Sequence, residues 1–148
     1  MRLVIQSVYS ASVRLPEENI QRNIGRGVVI YLGIAVEDLE TYAEKIEKIV
    51  RKLPTIRFLE WEKGIDQSIN SVNGEILLIS NFTVYGRNHK GTSMEFTNSA
   101  PFKEAKKIYE YFIQEAKKAD WKLQTGEFWA DMHITSENSG PINYVFDY

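Results

Sequence analysis

Polar and apolar residues alternate from Arg2 to Leu15, the pattern of one long strand or of two strands joined at a bend. By contrast, "GVVIYLGIAV" at 27–36 is a nearly unbroken β-branched and aliphatic run, which predicts a strand buried on both faces. The period then changes. Behind Asp38, which reads as an N-cap, Leu39, Tyr42, Ala43, Ile46, Ile49, Val50 and Leu53 recur at helical spacing until Pro54 ends the segment. A second helix is predicted over 101–119, with Pro101 at its first position and an apolar stripe through Phe102, Ala105, Ile108, Tyr109, Phe112 and Ala116. Its other face carries lysines. Between the helices, "GEILLISNFTVYG" at 74–86 reads as a long strand opened by an Asn73-Gly74 turn. "ADMHITSEN" and "INYVFDY" give two more strands on either side of a Gly140-Pro141 corner. Strands outnumber helices, in an order that is not simple βαβ winding.

Composition narrows this to one domain spanning 1–148. No repeat, low-complexity stretch or Pro/Gly/Ser-rich linker divides the chain, and 148 residues with 43% hydrophobic and 12% aromatic content suffice for a core. A formal charge of −2, from 18 Lys and Arg against 20 Asp and Glu, argues against coating nucleic acid through bulk positive charge and leaves a local basic patch open. The absence of cysteine removes disulfides, a thiol nucleophile and a thiolate metal site. The opening apolar runs are interrupted by Gln6, Ser7 and Ser10, too short for a signal peptide or a membrane span. A soluble cytoplasmic protein with no membrane partner is expected.

The common catalytic constellations are missing. His89 and His133 are the only histidines and neither sits in an HExxH or HxH arrangement, so no metal is expected. No GxGxxG or GxxxxGKS occurs, and Gly25 and Gly27 read as a turn before a strand. Carboxylate pairs such as Glu17 with Glu18, or Glu60 with Glu62, lie in polar loops where charge is ordinarily solvated. What remains is "LLISNFTVYGRNHKG" at 77–91. An apolar strand ending in Ser80, Asn81 and Thr83 offers hydroxyl and amide groups where backbone N–H groups also become free to bind a carbonyl or an oxyanion; a plain polar strand end accounts for the same residues. Arg87, His89 and Lys90 form a small cationic loop suited either to phosphates or to solvent.

Several segments together resemble the D-aminoacyl-tRNA deacylases over essentially the whole chain. They are "IQSVYSASVRL" followed by "IGRGVVIYLGI", then "LLISNFTVYG", "QTGEFWADM" at 124–132 and "NSGPIN" at 138–143, in the family's order and spacing. Ser80 and Thr83 match the family pattern Ser-Gln-x-Thr, with Asn81 in place of Gln. Asn138, Gly140 and Pro141 match Asn-x-Gly-Pro-x-Thr, with Asn143 in place of Thr. The resemblance implies a homodimer of α/β subunits with layered mixed sheets, two main helices on one side and an active site at the subunit interface. It implies hydrolysis of the ester joining a D-amino acid, or mischarged glycine, to the terminal ribose of tRNA, without metal or organic cofactor. Aminoacylated tRNA is then the partner, and DNA is not. The two asparagine departures leave open a deacylase of altered acyl range or a non-catalytic tRNA- or protein-binding relative.

The resemblance also assigns residues. The backbone N–H groups of Phe82 and Thr83 are the expected oxyanion donors and the Thr83 hydroxyl orients the ester, with Ser80 and Asn81 as scaffold and substrate contacts. Water is the expected nucleophile, since no base stands beside Thr83 in sequence. Phe96, Phe128, Ala130 and Met132 would wall the terminal adenosine, with ordinary core packing as the alternative for Phe96 and Met132. Arg87, Lys90 and the lysines of the second helix would meet phosphates. The Gly140-Pro141 pair, with a cis peptide bond in the family, would reach the partner subunit's substrate as a chiral filter, braced by an Asx-type bond from Asn138.

Overall fold

The alternation at the start of the chain becomes a single strand, β1 (Arg2–Leu15), which runs through the middle of a curled mixed sheet in a computed structural model describing residues 1–61, 64–89 and 91–148. Glu62 of the Glu60/Glu62 pair and the expected phosphate contact Lys90 lie outside the described residues. On one side β1 pairs antiparallel with β2 (Ile20–Ile24) through its second half and with β3 (Gly27–Gly33) through its first. On the other it pairs along its length with β8 (His133–Asp147). Beyond β3 the sheet turns parallel, adding β6 (Glu75–Ser80) and β7 (Leu123–Thr125). β4 (Leu59–Trp61) and β5 (Gly64–Gln67) form a separate hairpin. α1 (Tyr42–Lys52) and α2 (Phe102–Lys118) complete the chain.

Side-chain parity explains the layers. Leu3, Ile5, Val28, Ile30, Leu32, Ile76 and Leu78 face the helices and pack on Ile46 and Ile49 of α1 and on Ile108, Tyr109 and Phe112 of α2. Both helices thus cover one face. Val8, Val29, Leu77 and Ile79 point the other way, where Ala11, Val13 and Ile24 join them. Ala11 shares the parity of Ile5 yet lies on Val8's side, because the ladder between β1 and β8 slips one register between Val8 and Ser10 and turns the strand over. The sheet then curls toward a barrel. Arg22 of β2 donates to the Thr125 carbonyl of β7 at 2.6 Å and pairs with Glu127 at 3.9 Å, so the two ends of the strand path meet. Among the described residues no helix is long and apolar enough to cross a membrane.

Three sequence expectations need correction. Asp38 does not cap the first helix, which begins at Tyr42 behind Thr41. It is fully buried instead, accepting from the Met1 ammonium at 2.6 Å, Lys45 Nζ at 2.6 Å and the Ala35 N–H at 2.8 Å. The strand expected over 74–86 stops at Ser80, and Phe82–Tyr85 wind into a 3₁₀ turn. The last two expected strands are one, since the β1 ladder runs across the Gly140-Pro141 peptide, which is cis.

Burial pushes the Tyr85 and Tyr109 phenols well up from their ordinary value. A phenol that holds its proton in the folded chain and loses it in the unfolded one contributes stability that is complete below about pH 10 and falls as pH rises further. Thermal melts are therefore expected to drop from about pH 9 to 11, and Tyr109→Phe should flatten that slope. An unchanged slope would place the pH sensitivity elsewhere.

Candidate active site

β3, β6 and β7 run parallel, so their C-terminal ends open on the same side, and there the chain forms a cleft of about 660 Å³. Leu32 and Ile34 come from the end of β3, Ile79 to Thr83 from the end of β6, and Phe128 to Met132 from the segment after β7. Phe96, Ser99 and Phe102 close the remaining side.

The β6 exit turns because of one side chain. Asn81 keeps an extended backbone (φ −147°, ψ 100°) while its Oδ1 accepts the Thr83 N–H at 3.0 Å, the bond of an N-cap. The Thr83 hydroxyl donates to the same oxygen. Two consequences follow for chemistry. The Thr83 N–H expected as an oxyanion donor is already engaged, and its hydroxyl, with the proton committed to Asn81, presents only an acceptor to the cleft. Phe82 differs: no acceptor among the described residues takes its N–H, as is usual at the first position of a helical turn. Its carbonyl is held by the Ser99 hydroxyl at 3.1 Å. Of the two N–H groups expected as donors, only that of Phe82 is unengaged among the described residues.

The wall is a chain of rings anchored in the core. Phe82 meets Phe96 edge-on at 5.0 Å and stacks on Trp129 at 5.7 Å and 24°. Phe102 stands edge-on to both Trp129 at 5.1 Å and Phe128 at 5.4 Å, and Phe128 leans on buried Tyr109 at 5.8 Å. The Tyr109 hydroxyl donates to the Leu78 carbonyl at 3.0 Å, tying the wall to β6. Met132 fits because residue 126 is glycine; a Cβ there would collide with its sulfur. Burial pushes the phenol of Tyr31, another lining residue, up from its ordinary value. Asp131 is the only charged side chain among the described lining residues, and no group of three His, Asp or Glu able to hold a metal stands among the described residues.

Ser80, Asn81, Phe82, Thr83, Phe96, Phe128, Ala130 and Met132 therefore share one cleft. Arg87 does not line it. Its backbone bridges Glu95, its guanidinium meets the Asn98 carboxamide oxygen at 2.9 Å, and it faces a second cleft with Arg2 and Asp147. Gly140 and Pro141 are exposed on β8 and do not reach the cleft of their own chain. Asn138 makes no Asx-type bond to backbone among the described residues; its amide spans the corner to Asn143 Oδ1 at 3.5 Å, and Ser136 donates to it at 3.1 Å. Trp129, Phe102, Ser99 and Asp131 line the cleft without having been singled out as site residues from the sequence. Trp129 lies inside the "FWADM" segment and was hidden by its neighbours, while Phe102 read as helix stripe.

The model of the D-Tyr-tRNA(Tyr) deacylase family matches residues 4–147. The chain belongs to this family. It is 37% identical to the D-aminoacyl-tRNA deacylase of Clostridium botulinum (strain Alaska E43 / Type E3) and 34% identical to that of Thermotoga petrophila, each alignment covering 99% of this chain and 97% of the relative. Its fold matches the solved structure described as the c-Myc DNA unwinding element binding protein with a TM-score of 0.85 at 30% identity, over 100% of this chain and 99% of that one. A probable eukaryotic D-amino acid tRNA deacylase, at TM-score 0.83 and 18% identity over 99% of this chain and 98% of that one, shares the fold. Family membership accounts for the mixed sheet with two helices on one face.

Proposed function

We propose that this chain hydrolyses the ester of D-aminoacyl-tRNA, and of glycine mischarged onto tRNA, in the cytoplasm as a check on translation. The observation that carries the reading is a Phe82 N–H that no acceptor among the described residues takes, at the rim of an aromatic cleft, in a chain whose length the deacylase family spans. The terminal adenosine lies against Phe96, Phe128, Ala130 and Met132, where rings and a thioether cover a base face. Water attacks the ester carbonyl, the Phe82 N–H donates to the oxyanion, and the bond to the ribose oxygen breaks. The proton lost by water ends on that oxygen, giving free amino acid and intact tRNA. Holding a labile ester against a fixed donor supplies the acceleration without an acid/base pair. The Thr83 hydroxyl oxygen, an acceptor, orients the substrate's ammonium or ribose hydroxyl.

The site is completed by a second copy. β8 presents an outer edge without a strand partner among the described residues, with Val145 60% exposed and the Gly140-Pro141 corner beside it. Pairing along this face brings that corner to the partner's cleft, where backbone rejects an L side chain and passes a D side chain or glycine. Purified protein should release D-amino acids and glycine from tRNA and leave L-aminoacyl-tRNA intact, and should sediment as a dimer. Rapid release of L-amino acids would sink the filter, and a monomer at working concentration would sink the shared site.

Asn81 favours a second reading, an altered acyl range, because it occupies the Thr83 N–H and leaves a single oxyanion donor. Release from glycyl-tRNA alone would establish it; binding without any release would make the chain a tRNA-binding relative. Arg87 and the exposed lysines of α2 meet phosphates in either case. Arg87→Ala should lower the salt slope of tRNA binding by about 1, and an unchanged slope would remove Arg87 from the contact.

A further inference from the structure

Trp129 is the most exposed large apolar residue among those described, at 65%, and its backbone is left-handed at φ 68°. A bulky side chain is rarely found there, and the position suits glycine or asparagine. Simple packing does not account for it, because an indole placed to fill a core would be covered. Its ring instead stacks on Phe82, the residue that carries the free N–H, and stands edge-on to Phe102. Strained backbone combined with an exposed aromatic surface beside a reaction centre is the mark of a contact kept for a ligand.

We infer that Trp129 is a stacking shelf for a nucleobase of the single-stranded acceptor end of the RNA, and so helps to set where the ester comes to rest. The inference rests on the proposed deacylase reading. A flat π surface is what a base seeks: stacking on an aromatic ring tolerates any base and needs no hydrogen-bond partner. The charge of the cleft agrees. With Asp131 as its only charged described lining residue, the cleft offers no cation to draw the RNA, so an uncharged contact must hold its end. The Phe82 to Trp129 stack links binding to chemistry, since a base seated on the indole bears on the residue whose N–H faces the ester.

The test uses the trinucleotide CCA without an attached amino acid, labelled at its 5′ end, and adenosine alone, with binding read by fluorescence anisotropy or by competition. Trp129→Gly fits the backbone conformation and should melt with the parent chain, while binding CCA roughly 5- to 100-fold more weakly. Trp129→Phe should keep most of the affinity. Because the contact is uncharged, the loss should be the same at about 50 and 200 mM salt. An equal loss for adenosine assigns the shelf to the terminal base, and a loss for CCA alone assigns it to the preceding one. CCA binding by Trp129→Gly at parental strength would overturn the inference, as would a parent chain that binds no CCA. Failure of the function reading looks different: tRNA and CCA bind, but no D-amino acid is released.

Discussion

Phe82→Pro is expected to hydrolyse D-aminoacyl-tRNA about 10²–10³-fold more slowly than Phe82→Ala. Both variants lose the ring and its stacking on Trp129, but only proline loses the backbone N–H, so their ratio isolates the donor. The local structure permits the comparison. Phe82 is the first residue of a 3₁₀ turn, where a missing N–H breaks no intrahelical bond and proline's fixed φ is suitable. Asn81 before it is already extended at φ −147° and ψ 100°, outside the helical region that a following proline disfavours and about 20° in ψ from the range it prefers. Single-turnover rates at saturating enzyme give the ratio, and thermal melts show whether both chains are folded. Equal rates in the two variants would remove Phe82 N–H from the reaction.

The second large effect concerns stability. Asp38→Ala is expected to destabilise the fold by about 3–5 kcal/mol, the cost of stranding buried charges whose partner has been removed. Asp38 has no exposed surface and accepts from two cationic nitrogens and the Ala35 N–H. Asp38→Asn retains an acceptor for Ala35 and should lose less. Lys45 is partly exposed, so Lys45→Ala lets water share the carboxylate and should also cost less than Asp38→Ala. Urea midpoints of the three variants settle the order. A loss under about 1 kcal/mol for Asp38→Ala, typical of a surface pair, would contradict this account. The effect extends to the site, because Ala35 bridges Ser99 and the Ile34 carbonyl holds the Ala100 N–H, both on the cleft rim.

Where burial alone decided the structure, the sequence was readable. β3, apolar on both faces, lies between β1 and β6 with helices over it, and α2 buries the stripe its spacing marks. Where one polar group decided it, the sequence misled. Asp38 has the composition of an N-cap, but its partners are the Met1 ammonium, Lys45 beyond the start of α1 and the preceding Ala35 N–H, and no local pattern records a distant ammonium. Asn81 ends β6 by bonding Thr83, whereas "NFTVYG" has the β-propensity to continue the strand. Gly140-Pro141 looked like a break, yet β1 supplies a template long enough to keep both halves in one ladder. At the site the motif residues could be named, but not the free state of the Phe82 N–H, the loss of Thr83's, or the exposure of Trp129, which depend on neighbours brought in by folding.

The parallel run of β3, β6 and β7 separates what shapes the cleft from what carries the fold. Residues 81–83 follow β6 and 128–131 follow β7, ladder strands whose own side chains lie in the two cores, and 96–99 are tied in by the bridge of Ser99 to Ala35. Variation here that spares Asn81, Ser99 and Phe128, which turn the β6 exit, bridge Ala35 and pack on the helix-side core, leaves the frame in place, so the chain offers a scaffold for directed evolution. A library over these three short segments explores which acyl groups and which RNA ends are accepted, with little of each variant's fitness spent on remaining folded.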